Sequence, residues 1–169
     1  MWNDTDVPLA IFFTFRTYGT WLHGDERGSV DRHNNLYGAP KIPSLDHLAA
    51  ITAERMKSDP VILNASQRRA TEIGLQTVCG KRGWHIYAAN IRTNHAHAVI
   101  AIGAYDPDRA LAGLKAFATR EMRESGCWPL ETSPWAEKGS CRRLWNEKHI
   151  YDASVYVNTA QGGDLPTFD

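Results

Sequence analysis

Residues 95–103 constrain the fold more than any other stretch of the sequence. They read His-Ala-His-Ala-Val-Ile-Ala-Ile-Gly, so that Ala96, Ala98, Ile100 and Ile102 occupy every second position. Because successive side chains of a strand point to opposite faces, this apolar set lies on one face and both histidines lie on the other. The pattern therefore predicts a sheet whose apolar face is covered by helices, with the histidines on the opposite, open face.

Three further strands are predicted around this one. Residues 84–92 alternate in the same way and are separated from 95–103 by only two residues, which predicts a hairpin. Residues 9–18 are rich in aromatic and β-branched side chains, which favours a strand buried on both faces. The segment 127–142 contains two prolines and a glycine and is predicted to be mostly loop, with a short strand around 142–145.

Strict alternation along the strand 84–92 makes a specific prediction for its two faces. It places Trp84, Ile86 and Ala88 on one face, and His85, Tyr87 and Ala89 on the other. His85 would then lie on the strand next to the histidine pair, and we expect a structural role for it.

The helices are predicted from their caps. Ser44 would cap a helix over 45–57, and Ser66 a helix over 67–79 that ends at Gly80. Asp106 and Pro107 would start a helix over 107–124, and a last helix covers roughly 147–160. In the helix 107–124, the periodicity turns Leu111, Leu114, Ala118 and Met122 to the core and Lys115, Thr119 and Arg123 outward.

The order strand, helix, hairpin, helix, strand, followed by a further helix, predicts an α+β fold. It is the split β-α-β order of a ferredoxin-like sandwich with an antiparallel sheet and an extra C-terminal helix. A chain of 169 residues fits a single domain over 1–169. Two helices would cover one face of the sheet, and the other face would take a ligand or the added helix.

Composition excludes several classes of protein. The chain is 43% hydrophobic and 22% charged, lacks a long apolar run, and does not begin like a signal peptide, so we expect a cytoplasmic protein without a membrane partner. Its three cysteines are far apart, which indicates neither a disulfide framework nor a thiolate zinc site. The formal net charge of zero argues against a general nucleic-acid coat, although a local basic face stays compatible with it.

His95 and His97 are the strongest candidates for chemistry. On a strand, their Cα atoms would be about 6.6 Å apart on the same face, close enough for two ring nitrogens to converge on one cation. A His-x-His pair by itself is a weak signal, because two hydrogen-bonded surface histidines would have the same spacing.

The sequence resembles the REP-associated tyrosine transposases and their insertion-sequence relatives, whose hallmark is a His-hydrophobic-His pair and one nucleophilic tyrosine. The segments that carry the resemblance extend over nearly the whole chain. They are 13–22, 24–31, 91–97, 114–120, Leu144-Trp145, Tyr156-Val157 and 161–163.

The resemblance implies a DNA transposase that acts on single-stranded DNA, often beside a hairpin. Such an enzyme is an endonuclease and strand transferase that works through a 5′-phosphotyrosine intermediate. A divalent metal ion, Mg or Mn, would be held by the histidine pair. Some relatives are homodimers that exchange the tyrosine helix and others act as monomers, so both states stay open.

Under this resemblance, Tyr156 is the expected nucleophile and Tyr151 the alternative. Many relatives place the third metal ligand four residues after the tyrosine, but Ala160 occupies that position here. Gln161 is one residue further, about 140° round an ideal helix from that tyrosine, and would need the helix to end before it. The expected ligand set is therefore His95, His97 and Gln161, with Asp152 and Asn158 as alternatives to the glutamine.

A different alignment would put Ser154 at the position of the nucleophile. That alignment predicts a catalytically inactive domain that still binds single-stranded nucleic acid, and it is the second hypothesis. A third is a metal-dependent phosphodiesterase that uses activated water instead of a tyrosine. Covalent attachment of DNA distinguishes the first hypothesis from the other two.

Contacts to DNA are expected from basic and aromatic side chains. Phosphate contacts would make binding dependent on salt, and aromatic rings would stack on unpaired bases. A solvated surface or core packing explains many of these residues nearly as well. The basic candidates are Arg16, Lys115, Arg120, Arg123, Arg142 and Arg143; the aromatic candidates are Trp21, Trp135 and Trp145. The loop 24–31 is also expected to be functional.

Overall fold

The computed structural model describes residues 6–20 and 59–169. The predicted helix over 45–57 and the predicted functional loop over 24–31 lie outside these residues. Seven elements follow one another along the described chain. They are β1 (Ala10–Thr17), α1 (Ala65–Arg82), β2 (His85–Ile91), β3 (His95–Ala101), α2 (Pro107–Glu124), β4 (Trp135–Leu144) and α3 (Glu147–Thr159).

The four strands form one antiparallel sheet in the order β2-β3-β1-β4. Within residues 6–20 and 59–169, β3 and β1 are central, with Thr14 opposite His97, and β2 and β4 are the two edges. The element order and the strand order together confirm the predicted α+β, ferredoxin-like arrangement with a further C-terminal helix.

Helices α1 and α2 cover one face of the sheet and form the main core with it. The apolar set of β3 that the alternation predicts is part of this core, and Ile11, Phe13 and Phe15 of β1 join it. All three side chains of β1 are completely buried, which accounts for the aromatic and β-branched composition of this strand.

The opposite face carries a smaller second core. Phe12 of β1 and Val99 of β3 pack there against Ile150, Ala153 and Val157 of α3. The three helical residues lie three and four positions apart, which gives α3 a single apolar stripe. The face predicted to accept a ligand or an added helix is therefore partly covered by α3, beside the histidine pair.

The ends of α1 differ from the prediction, whereas α2 has the predicted bounds and the predicted cap at Asp106. Asn64 caps α1, with Gln67 completing a capping box, and the Ser66 hydroxyl donates to the Asp169 carboxylate instead. The helix continues through Gly80 and ends at Gly83, whose φ of 68° is a left-handed conformation that favours glycine.

Two strand predictions are wrong in detail. A bulge between Ile86 and Ala88 breaks the strict alternation of β2, so that Ala88 faces α3 while Ala89 packs on the main core. β4 is also much longer than the predicted short strand. Its polar residues are compatible with a strand because β4 is an edge strand, and Gly139 lets its backbone approach Thr14 closely.

No helix within residues 6–20 and 59–169 combines the length and the hydropathy needed to cross a membrane.

Gly74 is expected to be required where α1 crosses α2. A Cβ at this position would lie 2.7 Å from Ala118 Cα and from the Phe117 carbonyl oxygen, both of which are backbone atoms. Gly74→Ala should therefore lower the free energy of unfolding by about 1–3 kcal/mol in a urea titration.

Gly80→Ala is the matched control, because it lies on the same helix and an added Cβ would meet nothing within 4 Å. This variant should be neutral or stabilising by about 0.5–1 kcal/mol. Equal stability of the two variants would contradict the close approach of the helices.

Candidate functional site

The two histidines open β3 and lie on the face of the sheet that α3 covers. Their ring centroids are 4.7 Å apart, and His97 is only 7% exposed beside Phe12 of the second core. The backbone register places Thr14 of β1 and Asn90 of β2 directly opposite His97. The alternation of β3 thus brings the pair together as predicted.

Each imidazole is oriented by a hydrogen bond at Nδ1. The Nδ1 of His95 lies 2.7 Å from the Asn94 amide oxygen, and the Nδ1 of His97 lies 2.8 Å from the Thr14 hydroxyl. The amide oxygen accepts the Nδ1 proton of His95, so in a neutral ring Nε2 carries the lone pair. Metal-binding histidines commonly have this arrangement, in which one nitrogen is held by an oxygen and the other coordinates.

Gln161 reaches the histidine pair because α3 ends before it. The helix stops at Thr159, and Ala160 has a φ of −103° and a ψ of 18°, outside the helical range. The Gln161 side-chain oxygen lies 3.0 Å from His95 Nε2, and its amide nitrogen donates to the Tyr156 carbonyl at 3.3 Å. The end of the helix corrects the 140° offset expected from the sequence.

These donors fit a divalent cation. Both nitrogens of His95 face oxygen atoms that accept hydrogen bonds, and a neutral imidazole has only one N–H. A cation shared by Nε2 and the Gln161 amide oxygen is one arrangement that satisfies both contacts. His95 Nε2 and the Gln161 amide oxygen lie 3.0 Å apart, and both are atom types that would coordinate a divalent cation.

His97 would add a second imidazole to this set through Nε2, because its Nδ1 is engaged by Thr14. Within the described ranges, no cluster of three or more histidine, cysteine, aspartate or glutamate side chains is present. Among the described residues, the candidate set consists of two imidazoles and one amide oxygen, a mixed set suited to Mn, Mg or Zn.

Tyr156 lies on the same side of α3 as this set. Its ring centroid is 5.8 Å from that of His97 and 6.0 Å from that of Phe12, and 44% of the residue is exposed. Tyr151 is 69% exposed, and within the described ranges its ring contacts neither histidine ring. The structure brings Tyr156, and not Tyr151, to the histidine pair.

The other residues considered for these roles lie elsewhere. Asp152 forms an ion pair with Lys148 at 2.6 Å, and Asn158 is exposed on α3. The Ser154 hydroxyl is buried and has no hydrogen-bond partner among the described residues. Ser154 is therefore not placed as a nucleophile open to solvent.

Two residues that sequence reasoning missed anchor α3 and the segment after it. The Asn90 side chain donates to the Val157 carbonyl at 3.0 Å, and Arg92 donates to the Gly163 carbonyl at 2.9 Å. Gly162 between these points has a φ of 86°, which turns the chain. A polar residue inside an alternating strand was the available signal for Asn90, but its partner is 67 residues away.

Two of the basic candidates lie on the histidine face. Residues directly opposite in an antiparallel pair share a face, so Arg16 lies beside His95, and Arg142 lies beside Phe12. Arg143 is opposite Ile11 and therefore lies on the other face. The structure separates neighbouring arginines that the sequence grouped together.

The three basic candidates on α2 lie in the helical layer, away from the histidines. Lys115 is not turned outward as predicted: its ammonium donates to the carbonyls of residues 136–138 at 2.8–3.2 Å, and burial lowers its pKa to about 8. Thr119 is buried and accepts from Trp135 Nε1. Arg123 donates to two backbone carbonyls, and Arg120 lies over the Phe117 ring.

The aromatic candidates and His85 have other surroundings. Trp135 is buried against Phe15, with ring centroids 4.9 Å apart, which is a packing role. Trp145 is half-buried, and Trp21 lies outside the described residues. His85 is opposite Ala101 at the far end of β3 from the histidine pair, where it contacts Tyr87.

Comparison with known proteins adds no identification: a scan against protein-family models and a search of curated proteins both find no match.

Asn90 is expected to hold the end of α3. Asn90→Asp keeps the size of the side chain but removes the amide donor and places a carboxylate against the Val157 carbonyl. We expect faster amide hydrogen exchange in the last turn of α3, corresponding to a loss of about 1 kcal/mol of local stability.

Asn158→Asp makes the same chemical change at an exposed position of α3 and should leave exchange close to that of the wild type. Equal exchange in the two variants, measured by mass spectrometry of the peptides covering α3, would show that the Asn90 bond does not hold the helix.

Proposed function

We propose that the protein is a metal-dependent endonuclease and strand transferase for single-stranded DNA, with Tyr156 as its nucleophile. One observation carries the proposal. A half-exposed tyrosine, two oriented histidines and an amide oxygen meet at one end of the sheet, although they come from β3, α3 and the segment after α3. The resemblance to single-tyrosine transposases supports the same assignment of roles.

The reaction transfers a phosphoryl group in two steps, first from the DNA strand to Tyr156 and then from Tyr156 to a 3′-hydroxyl. The Tyr156 oxygen attacks phosphorus, a bond forms between tyrosine and the 5′-phosphate, and the P–O3′ bond breaks. The tyrosine proton goes to solvent, and the leaving oxygen takes a proton to become a 3′-hydroxyl. In the second step, a 3′-hydroxyl oxygen attacks the phosphotyrosine: a P–O3′ bond forms, the P–O bond to Tyr156 breaks, the hydroxyl loses its proton and the phenolate takes one up. Strands are rejoined without an external energy source.

In this reaction Tyr156 attacks the phosphate, and the other residues of the site orient the reacting groups. His95, His97 and Gln161 would hold a divalent cation, which, when bound, withdraws charge from the scissile phosphate and orients it. Asn94 and Thr14 keep the imidazoles in place, and the packing of α3 on the second core keeps Tyr156 beside them.

Arg16 and Arg142 support single-stranded DNA as the substrate because both lie on the histidine face. Guanidinium groups bind phosphate oxygens in a bidentate geometry, and a strand laid along this face would bring a phosphate to Tyr156.

Covalent trapping tests the proposal. Labelled single-stranded hairpin oligonucleotides are incubated with Mn²⁺ or Mg²⁺ and then separated on a denaturing protein gel. We expect a protein-linked label for the wild type and for Tyr151→Phe, the matched tyrosine control. Tyr156→Phe and His97→Ala should lose at least about 100-fold of the signal, since each removes a group that acts directly in the reaction.

The other outcomes assign other functions. Loss of the label only in Tyr151→Phe would keep the reaction and move the nucleophile. Cleavage without a protein-linked label, unaffected by either tyrosine substitution, would favour hydrolysis by activated water. Binding without cleavage across many hairpins and both metals would favour the inactive nucleic-acid binder.

The metal ligands are tested separately by thermal unfolding. Mn²⁺ at a hundredfold excess over its dissociation constant should stabilise the wild type by about 2.7 kcal/mol, raising the melting temperature by about 5 °C or more. The increase should vanish in His95→Ala and shrink in Gln161→Ala.

Asn158→Ala and Asp152→Ala serve as controls for the alternative ligands and should keep the full increase. A Mn²⁺-dependent increase that disappears in either control but persists in Gln161→Ala would assign the third ligand to that residue instead.

A further inference from the structure

A cleft of about 550 Å³ lies at the opposite end of the sheet from the histidines. It is formed where α1 ends, β2 begins, β3 ends and α2 passes, and its volume is typical of sites that bind small molecules. Ile102 comes seven positions after His95, so along the direction of β3 the two sites are about 23 Å apart. The lining residues are Lys81, Arg82, Trp84, Ile102, Tyr105 and Phe117.

The cleft combines aromatic rings with cations. The ring centroids of Trp84 and Tyr105 are 5.3 Å apart, and the two ring planes are tilted by 60°. Both residues pack against the main core and are half-buried. The Arg82 guanidinium lies 4.9 Å from the Tyr105 ring centroid and 5.7 Å from that of Trp84. No carboxylate is among the lining residues that the structure describes.

Two further cations, Lys81 of α1 and Arg120 of α2, lie beside the Phe117 ring. The Lys81 ammonium lies 5.4 Å from the centroid of the Phe117 ring, and the Arg120 guanidinium lies 5.0 Å from it. The cleft therefore presents half-exposed aromatic surface within reach of three exposed cations. Stacking platforms beside positive charge are the means by which proteins bind unpaired nucleotides.

We propose that this cleft binds a nucleotide unit of single-stranded DNA, stacking its base on the Tyr105 ring beside the tilted Trp84 ring and contacting its phosphate with Lys81 and Arg82. That the nucleotide belongs to a DNA strand rests on the proposed function. That the cleft binds a base and a phosphate rests only on its own aromatic rings and cations. The cleft lies on the side of the helical layer, so a strand that fills both sites passes around the β2 edge of the sheet.

Binding is measured by fluorescence anisotropy with a labelled oligothymidylate and by calorimetry with thymidine monophosphate, which separates a strand from a free nucleotide. Tyr105→Leu and Arg82→Gln should each weaken binding at least about five-fold. Tyr105→Phe keeps the ring and should bind like the wild type. Arg82→Gln should also reduce the salt dependence of oligonucleotide binding by about 0.7 in the log–log slope.

Arg69→Gln is the charge-matched control, because Arg69 is exposed near the start of α1, thirteen positions before Arg82 and on the helical side of the sheet. It should leave affinity unchanged. Circular dichroism checks folding, and if Tyr105→Leu does not fold, photocross-linking of an oligonucleotide containing 5-iododeoxyuridine replaces it. A cross-link mapped to Trp84 or Tyr105 supports the proposal, and cross-links only elsewhere overturn it.

The two proposals fail in different ways. If Arg82→Gln and Tyr105→Leu bound both ligands with the affinity of the wild type, the proposal of a nucleotide site in the cleft would be wrong. The rings and cations would then only pack at the end of the helical layer. If the wild type formed no covalent DNA adduct but its binding still depended on Tyr105 and Arg82, the proposed nuclease activity would be wrong and the proposed nucleotide site would be supported.

Discussion

The two-sidedness of β3 is the constraint on which the rest of the structure depends. Because β3 is central in the sheet, its apolar face must be covered, and α1 and α2 do so. The same alternation turns both histidines to the opposite face, where Val99 and Phe12 supply an apolar patch that α3 covers. A shift of the register by one residue would bury the histidines in the main core and expose its alanines and isoleucines.

The position of α3 links this constraint to the chemistry. Its apolar stripe packs on the second core, which sets the helix beside the histidines, and the Asn90 side chain binds the carbonyl that follows Tyr156. The helix then ends early enough for Gln161 to turn back to His95. The packing of α3 and the hydrogen bond from β2 therefore position Tyr156, and the end of the helix positions the Gln161 amide.

The strands and helices with regular apolar patterns were predictable from the sequence, and the departures have local causes. The start of α2 follows from Asp106 and Pro107 and its end from Ser125-Gly126, and the faces of β3 follow from its alternation. The bulge in β2 was not predictable because a bulge depends on the pairing with β3. The burial of Lys115 was missed because its partners are backbone carbonyls of β4, which carry no sequence signal.

The most direct test of the site is a crystal grown or soaked in Mn²⁺, with anomalous diffraction measured near the manganese absorption edge. The account predicts one strong peak within about 2.0–2.3 Å of His95 Nε2, a His97 ring nitrogen and the Gln161 side-chain oxygen. A map without a peak at these atoms, with Gln161 still hydrogen-bonded to an imidazolium at His95, would contradict it.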